Sequence, residues 1–255
     1  MYRAPEIRRP DVVEAIRKII GNRPVSYGYR RIYGKLKESG IQCNCKTVYR
    51  YLQLHLWLST HRQQRVVQKH REGTVAVTEP NTRWASDITV IKAWNGDRGR
   101  FAIIIDCADR QILGYRWSRT ITGDDMQTLV KVSLRRRFSR ETVPNNKKIE
   151  FLSDNGPEYR KISFRRFLRH VGFEVCNTPL RSPESNGIAE AFFKSFKRDY
   201  VYQHLCETFD EVGAKIPAWV EDYNTQAPHS ALGLLSPAKF YEKWVLKNRL
   251  KVAQI

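Results

Sequence analysis

The segment RFAIIIDCA, residues 100–108, constrains the fold more than any other part of the chain. Its apolar run is short and unbroken, so it reads as a central strand buried on both faces. A sheet covered on two sides needs packed layers above and below it, which the neighbouring segments must supply. Just before the run, NGDRG gives a hairpin turn back to RWASDITVIKAW, a strand beginning near Trp84. Just after it, Asp109-Arg110 turns the chain into a third strand, QILGYRWS. Residues 122–138, TGDDMQTLVKVSLRRRF, read as a helix with acids at its start and arginines at its end, as the macrodipole favours. KIEFLSD is a fourth strand and YRKISFRRFLRHVG a single helix stopped by Gly172. FEVCNTP is a fifth strand, RSPESNG a loop and IAEAFFKSFKRDYV a further helix. The order is three antiparallel strands, helix, strand, helix, strand, helix, which is an α/β fold.

The first 58 residues follow a different pattern. DVVEAIRKIIG carries apolar positions at helical spacing, with Gly21 as its stop. SYGYRRIYGKLKESG places Ile32 and Leu36 four apart and stops at Gly40. Asn44 offers an N-cap to CKTVYRYLQLHL, where Val48 and Leu52 form the inner stripe. Three short helices with a tight turn before the third fit a helix-turn-helix type unit and fit a plain three-helix bundle equally well. Composition decides between them. The chain has 255 residues and a net charge of +19, with the excess spread along its length. A folded, strongly basic protein meets a polyanion, and nucleic acid is the leading candidate. An anionic membrane surface is the second, but no run of about 18 apolar residues, signal peptide or lipidation motif is present. On the DNA reading, the third helix exposes Lys46, Tyr49 and Arg50. Residues 59–81 are polar and basic, with Arg62, Arg65, Lys69 and Arg71, and read as a linker that tracks phosphates. The five cysteines are odd in number and irregular in spacing, which fits a reducing compartment. Cys43 and Cys45 are too close for the usual zinc spacing, even with His55 and His61 following, and suit small core positions better.

The segment KKIEFLSDNGPEYR, residues 147–160, raises a separate question, because it sets a carboxylate at the tip of a strand. Asp, Asn, Gly and Pro are turn residues, and a strand must end somewhere. Acids at the carboxyl ends of strands in an α/β sheet also face the crevice where ligands bind. In a ribonuclease-H-like sheet, strands one and four are central neighbours and the last helix packs across them. Asp87, Asp154 and Glu190 then converge. Three carboxylates packed together repel, and one takes up a proton unless cations arrive. Oxygen-only ligands suit Mg²⁺ or Mn²⁺, and two such ions about 4 Å apart clamp an in-line displacement at phosphorus.

At this point a family resemblance becomes specific. WASDIT around Asp87, SDNGPEY around Asp154 and RSPESNGIAEAFFKSFKRDYV around Glu190 resemble the Asp-Asp-Glu transposases of bacterial insertion sequences, in the retroviral-integrase superfamily. The product of the second reading frame is the nearer likeness. Thirty-five residues lie between Asp154 and Glu190, the family's characteristic gap. YGYRRIYGKL near the start and YNTQAPHSALGLLSPAKFY near the end also resemble it, so the likeness spans roughly residues 24–245.

The resemblance implies a ribonuclease-H-like mixed five-stranded sheet flanked by helices, preceded by a small helical domain of helix-turn-helix type. It divides the chain into a DNA-binding domain at 1–58, a basic linker at 59–81, a catalytic core at 82–204 and a helical C-terminal extension at 205–255. It implies Asp87, Asp154 and Glu190 as catalytic and metal-binding residues, holding two Mg²⁺ or Mn²⁺ ions. Water first attacks a phosphodiester at the element's end, and the freed 3′-hydroxyl then attacks another. The expected partners are element-end and target DNA, further copies of the chain, and an upstream-frame helix-turn-helix protein or fusion, in the bacterial cytoplasm at the nucleoid. The alternatives are a catalytically incomplete DNA-binding protein that competes with a fused transposase, and a hydrolase that never transfers.

Neighbouring residues were assigned on the same basis. Lys46, Arg50, Arg62, Arg65, Asn155, Asn186, Lys194 and Lys197 are expected to contact DNA. Glu190, Lys194 and Lys197 share one helix face, while Phe192 and Phe196 face the core. Asp106 is read as a structural acid, Glu184 as a loop acid, and Glu158 as facing solvent or DNA. Arg160, Lys161, Arg165, Arg166 and Arg169 read as a solvated face. Ser182 and Gly187 lie in the loop that touches the DNA end, and His229 and Pro237 are expected to be structural.

Overall fold

A computed structural model describes residues 8–21, 27–58, 77–154, 156–177 and 187–252. Three helices come first: α1 (Pro10–Gly21), α2 (Tyr29–Glu38) and α3 (Cys45–Leu54). Asn44 caps α3, its side chain accepting from Lys46 N at 2.9 Å. Val12, Ile16, Ile32, Leu36, Val48 and Leu52 are buried together, so each helix turns one apolar stripe inward.

The five strands are β1 (Arg83–Lys92), β2 (Arg98–Asp106), β3 (Ile112–Ser118), β4 (Ile149–Ser153) and β5 (Phe173–Asn177). Their order across the sheet is β3-β2-β1-β4-β5. β1 and β2 are antiparallel, as are β2 and β3, while β4 runs parallel to β1 and to β5. Between them lie α4 (Gly123–Phe138), α5 (Pro157–Arg160) and α6 (Ile162–His170). After β5 come α7 (Gly187–Asp199), α8 (Phe209–Thr225) and α9 (Pro237–Val252).

The unbroken apolar run of β2 follows from its two covered faces. Phe101, Ile103 and Ile105 point to the side roofed by α7 and α8, where Phe192, Phe196, Ile216 and Val220 meet them. Ala102 and Ile104 point the other way, toward Met126, Leu129 and Leu134 of α4 and Phe164 and Leu168 of α6. Each fully buried large side chain, such as Trp84, Phe101 or Phe151, contributes about 1.5–3 kcal/mol. At the start of α4, Thr122 and Asp125 form a reciprocal capping box, and at its end Arg137 turns inward to meet Asp106 and Asp109.

One expected helix is two. Lys161 adopts φ −57° and ψ 128°, so the chain from Pro157 to His170 breaks into the single turn α5 and the longer α6. The break serves packing: α5 seats Glu158 and Tyr159 in the interior, while α6 lays Phe164 and Leu168 on the sheet.

The C-terminal segment touches both parts of the molecule. Asn224 inserts its amide against β3, accepting from Ile112 N at 2.9 Å and donating to Ile112 O at 3.0 Å. Ala227 joins the core of the three N-terminal helices. Trp117 of β3 stacks on Phe209 with centroids 4.8 Å apart and donates to its carbonyl at 3.2 Å.

Candidate active site

The register of the two central parallel strands sets the geometry. Ser86 of β1 pairs with Ser153 of β4. Asp87 follows Ser86 on β1 and Asp154 lies just past the end of β4, so the two acids fall at the same level of the sheet. Their sequence parity matches Ala85 and Leu152, which face the α7 side of the sheet. α7 begins at Gly187 and carries the exposed Glu190 in its first turn.

Asp87 is the acid whose carboxyl is perturbed by its surroundings. Burial pushes the Asp87 carboxyl up to about 6. A hydrogen bond from Ile88 N to its Oδ1, 2.8 Å long, works the other way. The charges of Asp154 and Glu190 raise it further, and Lys197 partly offsets them. Asp154 accepts from Gly156 N at 3.0 Å, which folds the chain sharply after β4. A Cβ on Gly156 would stand 3.0 Å from Asp154 Oδ1 and 3.1 Å from Glu158 Oε2, so any larger residue there would press on both carboxylates.

The donor set fits a hard divalent cation: three carboxylates, half-buried to exposed, with neither sulfur nor imidazole among them. Among the described residues, no group of three His, Cys, Asp or Glu side chains is drawn close enough to hold a metal ion.

The surroundings hold the acids in place. On the opposite face, beneath Asp87, Ser86 Oγ donates to Ile103 O at 2.9 Å and meets the Tyr159 hydroxyl at 2.9 Å. Tyr159 is fully enclosed, and burial pushes its phenol well above the ordinary value. Arg100 Nη1 lies 2.5 Å from Glu158 Oε1. Glu158 is therefore buried and paired, and does not face solvent or DNA; the one-turn α5 points it inward. Lys197 Nζ reaches across to β1, donating to Thr89 Oγ1 and Val90 O, both at 2.8 Å.

The remaining residues of interest are distributed as follows. Lys46, Tyr49 and Arg50 are exposed on α3, and Lys194 is exposed on α7, one turn after Glu190. Lys197 is half-buried against β1. Arg62 and Arg65, most of the linker, Asn155, Ser182, Glu184 and Asn186 lie outside the described residues. Asp106 points to the α4 side, away from the acids, and accepts from Asn81 N at 2.7 Å and Ala108 N at 2.8 Å. Ser86, Arg100 and Tyr159 were not singled out in the sequence. The EY of SDNGPEY, one turn after a strand-end acid, is the one signal that pointed to Tyr159.

A mixed five-stranded sheet roofed by helices, with one acid on its central strand and another just past the end of the parallel neighbour, defines an integrase-type core. The chain matches the integrase core domain family at residues 77–183 and a second integrase core family at 171–237, and an HTH-like domain family at 8–65. It is 38% identical over 239 residues to "Transposase InsD for insertion element IS2A/D/F/H/I/K" of Escherichia coli, covering 90% of this chain and 78% of that one. The InsD of element IS2-9 from Escherichia coli strain K12 is 38% identical over the same length, with 76% of it covered. Among solved structures, a chain of the simian T-cell lymphotropic virus intasome in complex with PP2A regulatory subunit B56 gamma superposes with a TM-score of 0.54. At 14% identity it covers 88% of this chain and 73% of that one, and shares the fold. The chain belongs to the insertion-element transposases built on an integrase core, and is thus a polynucleotidyl transferase of the Asp-Asp-Glu class. No helix among the described residues is long and apolar enough to cross a membrane.

Proposed function

We propose that this transposase cleaves DNA at the ends of its element and joins the freed 3′-hydroxyl to a target, with both displacements at one metal-dependent site. Asp87, Asp154 and Glu190 are the residues we assign to hold Mg²⁺ or Mn²⁺, as two ions. The observation that carries this reading is the pairing of Ser86 with Ser153, which leaves two acids adjacent on parallel strands within electrostatic reach of a third. Bound there, divalent ions would supply activation of the attacking oxygen and stabilisation of the leaving oxygen. The chain's own residues do the rest. Burial disfavours the bare Asp87 carboxylate, which a bound cation would offset, and Lys197 ties α7 to β1 beside it. Lys194, exposed on the face of Glu190, is assigned to a DNA phosphate.

Exposure of Lys46 and Arg50 supports DNA contact through α3, within a DNA-binding unit at residues 1–58. Residues 59–81, with Arg62 and Arg65, are assigned as a phosphate-tracking linker, 82–204 as the core and 205–255 as its extension. Asn155 and Asn186 are assigned to the DNA end. Holding two ends at once calls for more than one copy of the chain, acting at the bacterial nucleoid.

The test is cleavage of a labelled duplex bearing the element's terminal sequence, with Mg²⁺, Mn²⁺ or EDTA, beside Asp154→Asn. Metal-dependent nicking and joined products, both lost in the variant, are the expected result. Nicking without joining points to a hydrolase. Binding without nicking points to a regulator that depends on an upstream-frame partner.

A further inference from the structure

Two segments of the sequence have no part in this chemistry: YGYRRIYGKL, residues 27–36, and APHSALGLLSP, residues 227–237. The fold brings them together. A Cβ on Gly34 would stand 3.0 Å from Leu234 Cβ and 3.5 Å from Pro228 Cβ, so the glycine lets α2 lie directly on the second segment. Lys35 Nζ donates to Gln226 Oε1 at 3.1 Å, and Lys239 pairs with Glu38. From the same helix, Arg31 passes under the ring of Tyr27 and reaches Asp199 Oδ2 at 2.5 Å. Arg198 binds both oxygens of that carboxylate, at 2.6 and 2.9 Å.

Asp199 ends the helix whose first turn carries Glu190. The Asp199 side chain is 5% exposed and that of Arg31 18%. Burial alone would raise the Asp199 carboxyl; the Arg198 hydrogen bond and the Arg31 charge outweigh it and hold the group below its ordinary range. A buried ion pair is a costly way to add stability, and its best-attested use is to fix one geometry among several. Here it fixes a helix end. An α-helix rises about 1.5 Å per residue and is stiff over two or three turns, so locking its last residue also sets the first turn. Phe192, Phe193 and Phe196 hold α7 on the sheet, and Lys197 pins it to β1, but a greasy face permits sliding that the ion pair to Arg31 on α2 does not.

We propose that Arg31 and Asp199 are positioning residues: they set Glu190 against Asp87 and Asp154, so that the placement of the N-terminal helices governs catalysis through α7. This rests on the reading of Glu190 as the third acid.

The full chain is compared as wild type, Arg31→Ala, Arg31→Lys and Asp199→Asn. In Arg31→Ala, hydrogen exchange in residues 187–193 should quicken, and cleavage at saturating duplex should fall on the order of 10- to 100-fold, as small misplacements of catalytic groups do. Duplex affinity should hold, the Mn²⁺ concentration for half-maximal cleavage should rise, and Arg31→Lys should recover most of the rate. If Arg31→Ala does not fold, Asp199→Asn, which keeps the shape and removes the charge, carries the same expectation. Unaltered exchange in the first turn of α7 together with an unaltered rate per folded molecule would overturn the proposal. So would a parallel loss of duplex affinity and melting temperature at constant rate per folded molecule, which marks a purely structural seam. Absence of metal-dependent cleavage in the wild type would instead defeat the reading of the acids, and the exchange experiment would still decide whether Arg31 sets α7.

Discussion

The hydroxyls of Tyr159 and Ser86 meet at 2.9 Å in the interior, on the face of the sheet opposite Asp87. Ser86 also donates to Ile103 O, so the contact joins α5, β1 and β2 next to Asp87. Tyr159→Phe removes one member of this buried chain while keeping the ring. It should cost about 1 kcal/mol. Thermal unfolding should show it as a fall of about 2–4 °C for a chain of this size.

Asp87 is a carboxylate held where a carboxylate is disfavoured. Its folded value lies above its ordinary one, so its contribution to stability is present at low pH and is lost as pH rises through about 6. Asp87→Asn should therefore raise the melting temperature of the metal-free protein at neutral pH and abolish cleavage, while duplex binding persists. A metal-free Asp87→Asn protein less stable than wild type would contradict the electrostatic account. Asp154→Asn and Glu190→Gln should also abolish cleavage.

Arg137 stands between two buried acids, 2.5 Å from Asp109 Oδ2 and 3.4 Å from Asp106 Oδ2, with its guanidinium 3.9 Å from the centroid of Tyr241. Arg137→Met leaves both carboxylates buried without their cation. Loss of about 3–5 kcal/mol is expected, measured by denaturant unfolding. A cost below about 1 kcal/mol would mean that water or a rearranged side chain replaces the arginine.

His229 packs edge-on against Tyr223, with centroids 4.7 Å apart. Burial, then the nearby charges of Arg31 and Arg110, push it from 6.5 down to about 3, against the opposing pull of Asp199. Between those values the unfolded chain binds a proton that the folded chain refuses. The contribution of His229 is complete above pH 6.5 and is lost as pH falls toward 3, with a slope of about 1.4 kcal/mol per pH unit. Urea midpoints measured across that range should flatten in His229→Asn.

Lys46 and Arg50 are exposed on α3. Lys46→Ala and Arg50→Ala should each weaken duplex binding across all sequences if they meet phosphate, and lower the salt slope by about 1. A loss confined to one sequence would instead place that residue on a base edge.

The sheet was legible because its rules are local and repetitive. An unbroken apolar strand, a hairpin turn and a helix with acids at its start and arginines at its end each announce themselves within a few residues, and the order of elements then limits the topology. The pairing of Ser86 with Ser153 could be anticipated only as far as strands one and four being neighbours. Glu158 misled because an acid after a turn is normally solvated, and its partner Arg100 lies on another strand. The helix break at Lys161 had no Gly or Pro to mark it; packing of Tyr159 below the acids decides it. Arg31 and Asp199 are 168 residues apart, and no spacing rule connects them.

The seam between α2 and residues 226–239 also bears on how the protein is made. Those residues leave the ribosome after the whole sheet and after α7. Until they emerge, Gly34 has nothing to lie on, Lys35 and Glu38 lack their partners across the seam, and the N-terminal helices have no seat. A chain still under synthesis, or one cut short by a stop codon before residue 226, carries all three acids yet cannot close this seam.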